Sequence, residues 1–559
     1  MDDVRYPVGV QTFRNIIEEG YVYVDKTRFI PLLKRHPYCF LGRPRRFGKS
    51  LLLSTLREYF EGNRDLFRGL DIDKLEPGEW SRHPVFHIDL NNEIYNDKGA
   101  FVAIINKHIE HWEDIYGDQK RDRSISERFE WVVKRAVETI GQKAVILIDE
   151  YDKPLSDNIL NDELFGIYRD ELRGFYASLK TLDSYIKFAL LTGVTKFGKL
   201  NVFSGLNNLA DISLNDDYAD ICGITEDELH RYFDAGVCRL AEKQNVDRDT
   251  MYRKLKQRYD GYHFSESSLD IYNPFSLLLA LSNRKIRDYW FSTGNTKILV
   301  DLIIRNNIPL WNLEGAESTE ELLSDLTYFV TNPIPLFYQT GYLTIKSYSP
   351  DFGLYTLGFP NEEVESGFLN DFMRGYGNTS QDSGINAQKM SMLLNEGEAK
   401  KFVEMLKAFL ASMPYDLRKY QNYESFWQTV MYVLLTMLDY YTEAERHTSE
   451  GSIDLLVKTP GYIYVMELKV ADRVKPAEVV DNGDGIIIVE DQDVVYGTPI
   501  EEDDSWDESA EVRRLLDLAV RQIEERCYAD AFAADGRKVI KIAAVFSAKR
   551  HNLAKALIF

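Results

Sequence analysis

Apolar residues along the chain fall into short strand-like runs that alternate with longer stretches of helical spacing. The strand-like runs begin at Cys39 and cover residues 84–90, 144–148 and 185–195. The run at 144–148 is continuously apolar, which is typical of a strand buried on both faces. Helical spacing fills the intervals, including a long region that ends at Glu138. This alternation predicts an α/β fold with chemistry at the carboxyl ends of parallel strands.

The middle of the chain has a different pattern. Residues 225–330 are rich in helical spacing, and Thr225 followed by Glu228 predicts a capping box at a helix start. Residues 335–345 carry aromatic residues next to a turn, which predicts strands of a small winged or β-containing appendage. Residues 374–388 are polar and contain glycine, so we expect a linker and a domain boundary there.

The chain after this linker predicts a second α/β arrangement. Its elements are, in order, a helix over 390–413, a helix over 423–438, a β-hairpin with strands 451–457 and 462–469, a helix over 518–528 and a strand over 539–547. We therefore divide the chain into residues 1–224, 225–375 and 376–559.

Size and charge limit the classes of function. The 559 residues are too many for one hydrophobic core. The formal net charge of −22 argues against nonspecific coating of nucleic acid, although it leaves room for a local basic groove. The N-terminus has no apolar signal core, and no apolar run approaches the roughly 18 residues of a membrane span. We therefore expect a cytoplasmic protein without membrane contact. Four scattered cysteines indicate neither a zinc site nor a disulfide framework.

A basic turn between the first strand and the helix after it carries the main motif. Gly48-Lys49-Ser50 is the end of a P-loop, in which backbone N–H groups and the lysine hold nucleotide phosphates and the serine ligates Mg²⁺. The full motif requires glycine at position 43, where Arg43 stands. The turn, Lys49 and Ser50 are therefore expected to hold ATP and its Mg²⁺.

The apolar strand at 144–148 ends in two carboxylates that suit ATP hydrolysis. Asp149 is expected to hold Mg²⁺, and Glu150 to polarise the attacking water. A strand followed by two acids is a common accident, but downstream of a P-loop we favour the functional interpretation. Asp152 and Lys153 are left open between a supporting role and plain solvation.

The strand at 185–195 ends at Thr192, whose hydroxyl either senses the γ-phosphate or simply terminates the strand. Residues 193–199 also fit the glycine and lysine spacing of a P-loop. Leu200 follows them and has no oxygen for Mg²⁺. We therefore rank this second match well below Lys49.

Several blocks together resemble one family. YVDKT, RPRRFGKSLLLSTL, VILIDEYDKP, LTGVTKFGKLNVFSGLNNL, YDGYHF and YNPFSLL occur in this order over about residues 5–290 and resemble the bacterial AAA-ATPase-like proteins. The resemblance implies that RPRRFGKS is itself the P-loop form, with Arg43, Arg45 and Arg46 beside the phosphates. The residues then expected to hold ATP are Arg43, Pro44, Arg45, Arg46, Phe47, Gly48, Lys49, Ser50 and Leu51. The alternative is that these arginines form salt bridges with neighbouring acids. Residues 1–224 are then the ATPase core, and 225–375 are a helical lid with the appendage.

The predicted hairpin near the C-terminus gathers charged residues. Asp454 lies on one strand, and Glu467 and Lys469 point to one face of the other, since strand side chains alternate. Carboxylates and the carbonyl of Leu468 are hard oxygen ligands for Mg²⁺, and a lysine can orient the attacking water. Solvated hairpins also offer Glu-x-Lys freely, so this spacing is weak by itself.

The order of these residues resembles the PD-(D/E)XK nuclease superfamily. The resemblance implies catalytic roles for Glu424, Asp454, Glu467, Lys469 and Gln522, with Asp454 and Glu467 holding Mg²⁺. One departure is the insertion at 471–511, which contains an acidic run where a short connection is expected. Like charge there repels a phosphate substrate, so a gate, a partner-binding arm and loss of cleavage all stay open.

The combined prediction is a P-loop ATPase with a helical lid joined to a Mg²⁺-dependent nuclease-like domain. It acts on nucleic acid, with DNA favoured over RNA, and a homo-oligomer is left open. A role in defence or mobile-element biology rests on the resemblance alone. The alternative is a nucleotide-controlled switch or scaffold whose nuclease-like domain binds without cleaving.

Overall fold

The structure is a computed structural model that describes residues 4–117, 123–197, 208–266, 269–291, 296–306, 308–324, 326, 329–376, 383–411, 424–436, 441–448, 451–471, 510–532, 534–548, 550 and 552–559. The chain forms two compact units, one of Met1–Asn295 with Leu313–Phe368 and one of Thr296–Asn312 with Leu369–Phe559. The predicted boundaries at 224 and 375 stay predictions. Within the described ranges, none of the helices combines the length and apolar character needed to cross a bilayer.

Nineteen helices are assigned within the described residues. They are α1 Phe13–Glu18, α2 Ile30–Leu33, α3 Lys49–Phe60, α4 Asp71–Leu75, α5 Ala100–Tyr116, α6 Ile125–Ile140, α7 Lys153–Ser156, α8 Asp162–Thr181, α9 Glu226–Gln244, α10 Arg248–Tyr259, α11 Pro274–Asn283, α12 Lys297–Arg305, α13 Glu320–Leu323, α14 Ile334–Thr340, α15 Glu362–Tyr376, α16 Ser383–Asn395, α17 Ala399–Ala411, α18 Glu424–Thr436 and α19 Ala510–Glu525.

A parallel sheet organises the first unit. Its strands are β1 Tyr38–Gly42, β2 Val85–Asp89, β3 Ala144–Asp149, β4 Ile186–Gly193 and β5 Leu209–Asp211, and their order in the sheet is β2-β3-β4-β1-β5. Asp89 pairs with Asp149, and Gly42 pairs with Gly193. The carboxyl ends of these four strands therefore lie at one edge of the sheet, where parallel α/β folds bind ligands. The predicted α/β fold is confirmed.

Helices and two small sheets complete the first unit. The strands are β6 Ile224–Thr225, β7 Ile271–Tyr272, β8 Ala316–Thr319, β9 Thr344–Ser349 and β10 Leu354–Gly358. The last three form an antiparallel sheet in the order β8-β10-β9, and α9, α10 and α11 share one apolar cluster. The capping box of Thr225 and Glu228 is present at the start of α9.

One predicted strand is a helix. The aromatic pattern of residues 335–345 predicted strands, but residues 334–340 form α14, and strand β9 begins only at Thr344. Pro335 stands in the first turn of this helix, where its missing N–H costs nothing, and the same proline disfavours a sheet position. Gly341 ends the helix with a φ of 87°. Proline and glycine at its two ends decide the outcome against the aromatic pattern.

The second unit contains a mixed sheet. Its strands are β11 Tyr441–Thr448, β12 Gly451–Lys458, β13 Tyr462–Ala471, β14 Lys538–Ser547 and β15 Asn552–Ile558 in that order, and only β13 and β14 pair in parallel. The hairpin predicted from 451–457 and 462–469 is present as β12 and β13. Val545 packs in the apolar cluster that contains α19, while Phe546 stacks on Trp427 of α18. Since neighbouring strand residues point to opposite faces, α18 and α19 cover the two faces of the sheet.

Candidate functional site

The turn from β1 into α3 has the form of a P-loop. Gly48 adopts a φ of 98°, a conformation that favours glycine, and α3 begins at Lys49. The Lys49 Nζ donates hydrogen bonds to the carbonyl oxygens of Arg43 at 2.9 Å and Pro44 at 3.0 Å. The lysine therefore rests on its own loop and is only 5% exposed. Within the part of the chain that the structure describes, Lys49 forms no salt bridge, so a phosphate at this helix N-terminus meets an available cation.

Arg43 occupies the position of the missing glycine, and its guanidinium is buried. It donates hydrogen bonds to the carbonyl oxygens of Gly42, Ser213 and Tyr218 at 2.8 to 3.0 Å and lies over the Phe264 ring at 4.3 Å. Burial lowers the pKa of Arg43. In this arrangement its bonds hold the loop to neighbouring backbone.

The other two arginines of the loop are exposed. Arg46 has a φ of 67° and lies over the Phe275 ring at 3.8 Å. The Arg45 carbonyl accepts a hydrogen bond from the Trp290 indole at 3.0 Å. Arg45 and Arg46 are thus the loop cations placed toward solvent.

Apolar residues of the loop pack on segments distant in sequence. Phe47 makes edge contacts with Tyr262 at 4.8 Å and Phe264 at 5.2 Å, both in the YDGYHF block. Pro44 lies so close to Gly341 that a Cβ on this glycine would approach it to 2.7 Å. These contacts explain physically why the YDGYHF block accompanies RPRRFGKS in one fold.

The carboxylates predicted at the end of β3 lie at the same sheet edge as the loop. Asp149 is buried and accepts a 2.7 Å hydrogen bond from the Thr192 hydroxyl, which is itself fully buried. Glu150 follows with a φ of 50°, a strained conformation for this residue type. Burial raises the pKa of Glu150, and the nearby charge of Lys49 opposes this. The strand end thus aims one carboxylate inward and the next into the cleft.

Asp152 is neither solvated nor free. It is buried and accepts hydrogen bonds from the backbone N–H groups of Val194 and Thr195 and from the Thr195 hydroxyl. Lys196, inside the rejected second match, pairs with Asp211. Asp152 therefore fixes the segment after β4, and Lys199 of the rejected match lies outside the described residues.

An open cleft lies between the loop and the end of β3. Lys49, Ser50, Leu51 and Glu150 line one side. Arg45, Arg46 and Gly48 of the predicted loop also line it. Sequence reasoning missed nine further lining residues, namely Pro7, Val8, Gly9, Val10, Gln11, Asn91, Pro274, Phe275 and Leu278. The one available signal was the polar pair at 91 and 92 directly after the second strand. The Ser50 hydroxyl and the Asp149 carboxylate are hard oxygen donors and fit Mg²⁺.

The second candidate site lies on the hairpin of β12 and β13. Lys469 Nζ donates to Glu467 Oε1 at 2.7 Å and lies 3.8 Å from Asp454 Oδ2. The backbone N–H of Leu468 donates to Asp454 Oδ2 at 2.7 Å. Glu467 is fully buried and Asp454 nearly so. The structure therefore brings together the three hairpin residues named from the sequence.

The two helical residues predicted for this site are placed less completely. Glu424 is the first residue of α18, and its side chain lies outside the described residues. Gln522 lies in the last turn of α19 and is half-buried. Most of the 471–511 insertion also lies outside the described residues. Their roles stay predictions.

A neighbouring polar group was missed from the sequence. Glu445 accepts hydrogen bonds from Gln428 Nε2 and from Ser452 Oγ, each at 2.9 Å. Its φ is 49° and its pairing with β12 is missing, and the register of the flanking pairs places it opposite Asp454. The available signal lay on α18, where Gln428 stands four residues after Glu424 and therefore on the same helix face.

The donor set of the hairpin site is small. Among the described residues, no group of three or more His, Cys, Asp or Glu side chains is arranged to hold a metal ion. Two carboxylates and the carbonyl of Leu468 still suit Mg²⁺, which keeps several waters and is often bound through one or two carboxylates together with substrate phosphates. The site fits this ion and not a closed all-protein cage.

Comparisons with known proteins match two parts of the chain to protein families. Residues 7–203 match the AAA-ATPase-like family, described as predicted AAA-ATPase. Residues 422–487 match the PD-(D/E)XK nuclease superfamily. An uncharacterized protein in the vnfD 5' region of Azotobacter chroococcum mcd 1 is 35% identical over 484 residues, which cover 84% of this chain and 90% of that protein. The chain therefore belongs to the AAA-ATPase-like family and carries a PD-(D/E)XK nuclease superfamily domain at its C-terminus.

Proposed function

We propose that the protein binds and hydrolyses ATP at the P-loop cleft and cleaves nucleic acid at the hairpin site, both with Mg²⁺. The observation that carries the first activity is the cleft itself, which holds Lys49, Ser50 and Glu150 together. The observation that carries the second is the contact of Lys469 with the buried Glu467 beside Asp454. Four free cysteines fit a reducing compartment such as the cytoplasm.

In the ATPase, each residue has a separable task. Lys49 and the loop N–H groups bind the β- and γ-phosphates, and Arg45 and Arg46 add positive charge from the solvent side. Ser50 and Asp149 would hold Mg²⁺, which would supply positive charge to the phosphates of ATP. Glu150 orients and polarises the attacking water, while Thr192 fixes the Asp149 carboxylate through its hydroxyl.

At the hairpin, Asp454 and Glu467 would hold the ion that lowers the pKa of a bound water and stabilises charge on the phosphate. Lys469 would orient that water and balance the two carboxylates. The backbone N–H of Leu468 keeps Asp454 in place. The nucleic acid is DNA in this proposal, and a setting in defence or mobile-element biology rests on family resemblance alone.

The ATPase is tested by phosphate release from ATP with purified full-length protein. Lys49→Ala is expected to lose nucleotide binding and turnover together. Glu150→Gln is expected to keep binding and lose turnover, because only water activation is removed. Lys187→Ala is the matched control, since Lys187 is exposed near the start of β4. Turnover that survives in Lys49→Ala contradicts the assigned site.

Cleavage is tested on linear, circular and single-stranded DNA with Mg²⁺. Asp454→Ala is expected to abolish cleavage, and Asp517→Ala, an exposed change on α19, to leave it intact. Absence of cleavage by wild type on every substrate, with ATP turnover intact, favours the alternative of a nucleotide-controlled switch that binds without cleaving. Cleavage that persists in Asp454→Ala places the chemistry elsewhere.

A further inference from the structure

An arginine directly after α19 is tethered to the hairpin site. The Arg526 Nη1 donates to the Tyr528 hydroxyl at 3.2 Å. That hydroxyl donates to the Ser452 carbonyl at 2.5 Å, and the Tyr528 side chain is buried. Ser452 precedes Asp454 by two residues on β12. A buried tyrosine thus holds the guanidinium next to the strand that carries a proposed catalytic carboxylate.

The charges of the site act on this guanidinium. The hydrogen bond to Tyr528 is the main cause that raises the pKa of Arg526, and the negative charges of Glu467 and Asp454 raise it further. Arg526 is exposed, whereas Lys469 is largely buried between the carboxylates. The site therefore has an inner cation and an outer cation.

The outer cation has a clear chemical use. Without a bound cation, Asp454, Glu467 and Lys469 carry a formal net charge of −1, which repels a phosphodiester. A guanidinium can bind a phosphate through two parallel hydrogen bonds, and its charge favours approach of a polyanion. The positive charge of Lys469 is not available to bind a phosphate, because its Nζ already donates to the Glu467 carboxylate and to the Leu468 carbonyl oxygen.

We propose that Arg526 binds a backbone phosphate of the nucleic acid and thereby holds the nucleic-acid strand beside Asp454 and Glu467. This inference rests on the proposed nuclease function, since it names how that same site holds its substrate. Tyr528 is then a positioning residue, because it acts only through Arg526. The competing explanation is that Arg526 merely balances the charge of the two carboxylates.

Salt dependence of binding separates the two explanations. A phosphate contact releases about one counterion, so its loss lowers the slope of log Kd against log salt by about 1. The test uses full-length Asp454→Ala protein, which keeps DNA uncut, and fluorescein-labelled single- and double-stranded DNA oligonucleotides in a KCl titration followed by anisotropy. Adding Arg526→Gln is expected to weaken binding several-fold at low salt and to lower the slope by about 1.

Three further variants are the controls. Arg526→Lys is expected to keep the slope, because the charge remains, while losing part of the affinity with the bidentate geometry. Tyr528→Phe is expected to keep the slope and weaken binding, because the tether is lost and the charge is not. Arg521→Gln removes another exposed arginine of α19 and is expected to change neither quantity. Thermal unfolding of each variant reports whether it is folded.

The outcomes distinguish this inference from the nuclease itself. An unchanged slope in Arg526→Gln, or a change equal to that of Arg521→Gln, overturns the phosphate contact even if wild type cleaves DNA. A slope lowered by about 1 without any cleavage by wild type supports the contact and overturns the nuclease. Failure of the parent protein to bind either oligonucleotide overturns the contact outright.

Discussion

The two candidate sites hold their lysines in different ways, and the difference separates their chemistry. Lys49 donates to two backbone carbonyls of its own loop, so its positive charge is left for a ligand. Lys469 donates to the Glu467 carboxylate, so its charge is already used within the site. The first arrangement suits a polyphosphate. The second keeps two buried carboxylates together until a cation and a phosphate arrive.

The aspartates of the two sites, Asp149 and Asp454, also differ in whether a cation lies beside them. Asp149 is held by the neutral hydroxyl of Thr192, and Asp454 by the neutral N–H of Leu468. Among the residues that the structure describes, a cation lies beside Asp454, namely Lys469, but none is paired with Asp149. Removal of a lysine should therefore cost the two units different amounts of stability.

The largest effect is expected from Lys469→Met. Breaking a buried ion pair by removing one partner typically costs about 3–5 kcal/mol, because a charge is left uncompensated. Lys49→Met should cost about 2 kcal/mol or less, since only hydrogen bonds to carbonyls are lost. Thermal unfolding of both variants checks this, and added Mg²⁺ should raise the melting temperature of Lys469→Met more than that of wild type. If Lys469→Met and Lys49→Met lose equal amounts of stability, the proposed difference between the two lysines is wrong.

Arg43→Met should mainly destabilise the first unit. Its guanidinium bonds three backbone carbonyls, and leaving such acceptors without a donor costs about 3 kcal/mol in total. Arg45→Met removes an exposed cation and should instead weaken ATP binding at nearly unchanged stability. Urea unfolding and nucleotide titration of the two variants are the measurements. A stable Arg43→Met with weak ATP binding means that Arg43 contacts the phosphates directly.

Asp260 is a buried carboxylate in the first unit with a lysine at longer range. Among the described residues neither of its oxygens has a hydrogen-bond partner, and Lys256 Nζ lies 3.7 Å from Oδ2. Burial raises the pKa of Asp260 from 3.8 to about 7. The folded state therefore binds this proton more tightly, so the stabilisation is full below pH 3.8 and is lost as the pH rises toward 7.

Asp260→Asn should remove the fall in the free energy of unfolding that Asp260 causes as the pH rises from 3.8 toward 7. At pH 8 the variant is expected to be more stable by about 1–2 kcal/mol, because the charge is gone while the amide still lacks partners. Unfolding free energies at pH 4, 6 and 8 measure the effect, and Asp249→Asn, an exposed change on α10, is the control. A variant that is less stable than wild type at pH 8 indicates that the carboxylate is ionised and paired in the folded protein.

The smallest loss of stability is expected from Thr192→Val. The change removes one buried hydroxyl that donates to Asp149, which costs about 1 kcal/mol. ATP turnover should fall about tenfold, since the Asp149 carboxylate is no longer fixed. Turnover with Mg²⁺ titration checks this, and a higher Mg²⁺ requirement is expected. Unchanged turnover would make Thr192 an ordinary strand-terminal residue.

Much of this architecture could be predicted from local sequence. Neighbouring residues alone are enough to predict the strand β3, the turn at Gly48 and the hairpin that carries Asp454 and Glu467. Each depends on periodicity or on a turn conformation that few residues adopt.

The remaining features depend on partners far along the chain. The bonds of Arg43 go to Ser213 and Tyr218, about 170 residues away, and no local pattern announces them. Glu445 meets Ser452 only after the strands have paired. The tether of Arg526 likewise exists only once α19 lies on the sheet. The sequence therefore predicts which residue types form the candidate sites, whereas tertiary packing determines which of their charges are available to bind a ligand.

The central claim is that one chain holds two distinct reaction centres. The most direct measurement assays ATP turnover and Mg²⁺-dependent DNA cleavage side by side for wild type, Lys49→Ala and Asp454→Ala. The expected result is that wild type performs both, Lys49→Ala loses ATP turnover, and Asp454→Ala loses cleavage while it still turns over ATP. Loss of ATP turnover in a folded Asp454→Ala, or cleavage that Asp454→Ala retains, would contradict it.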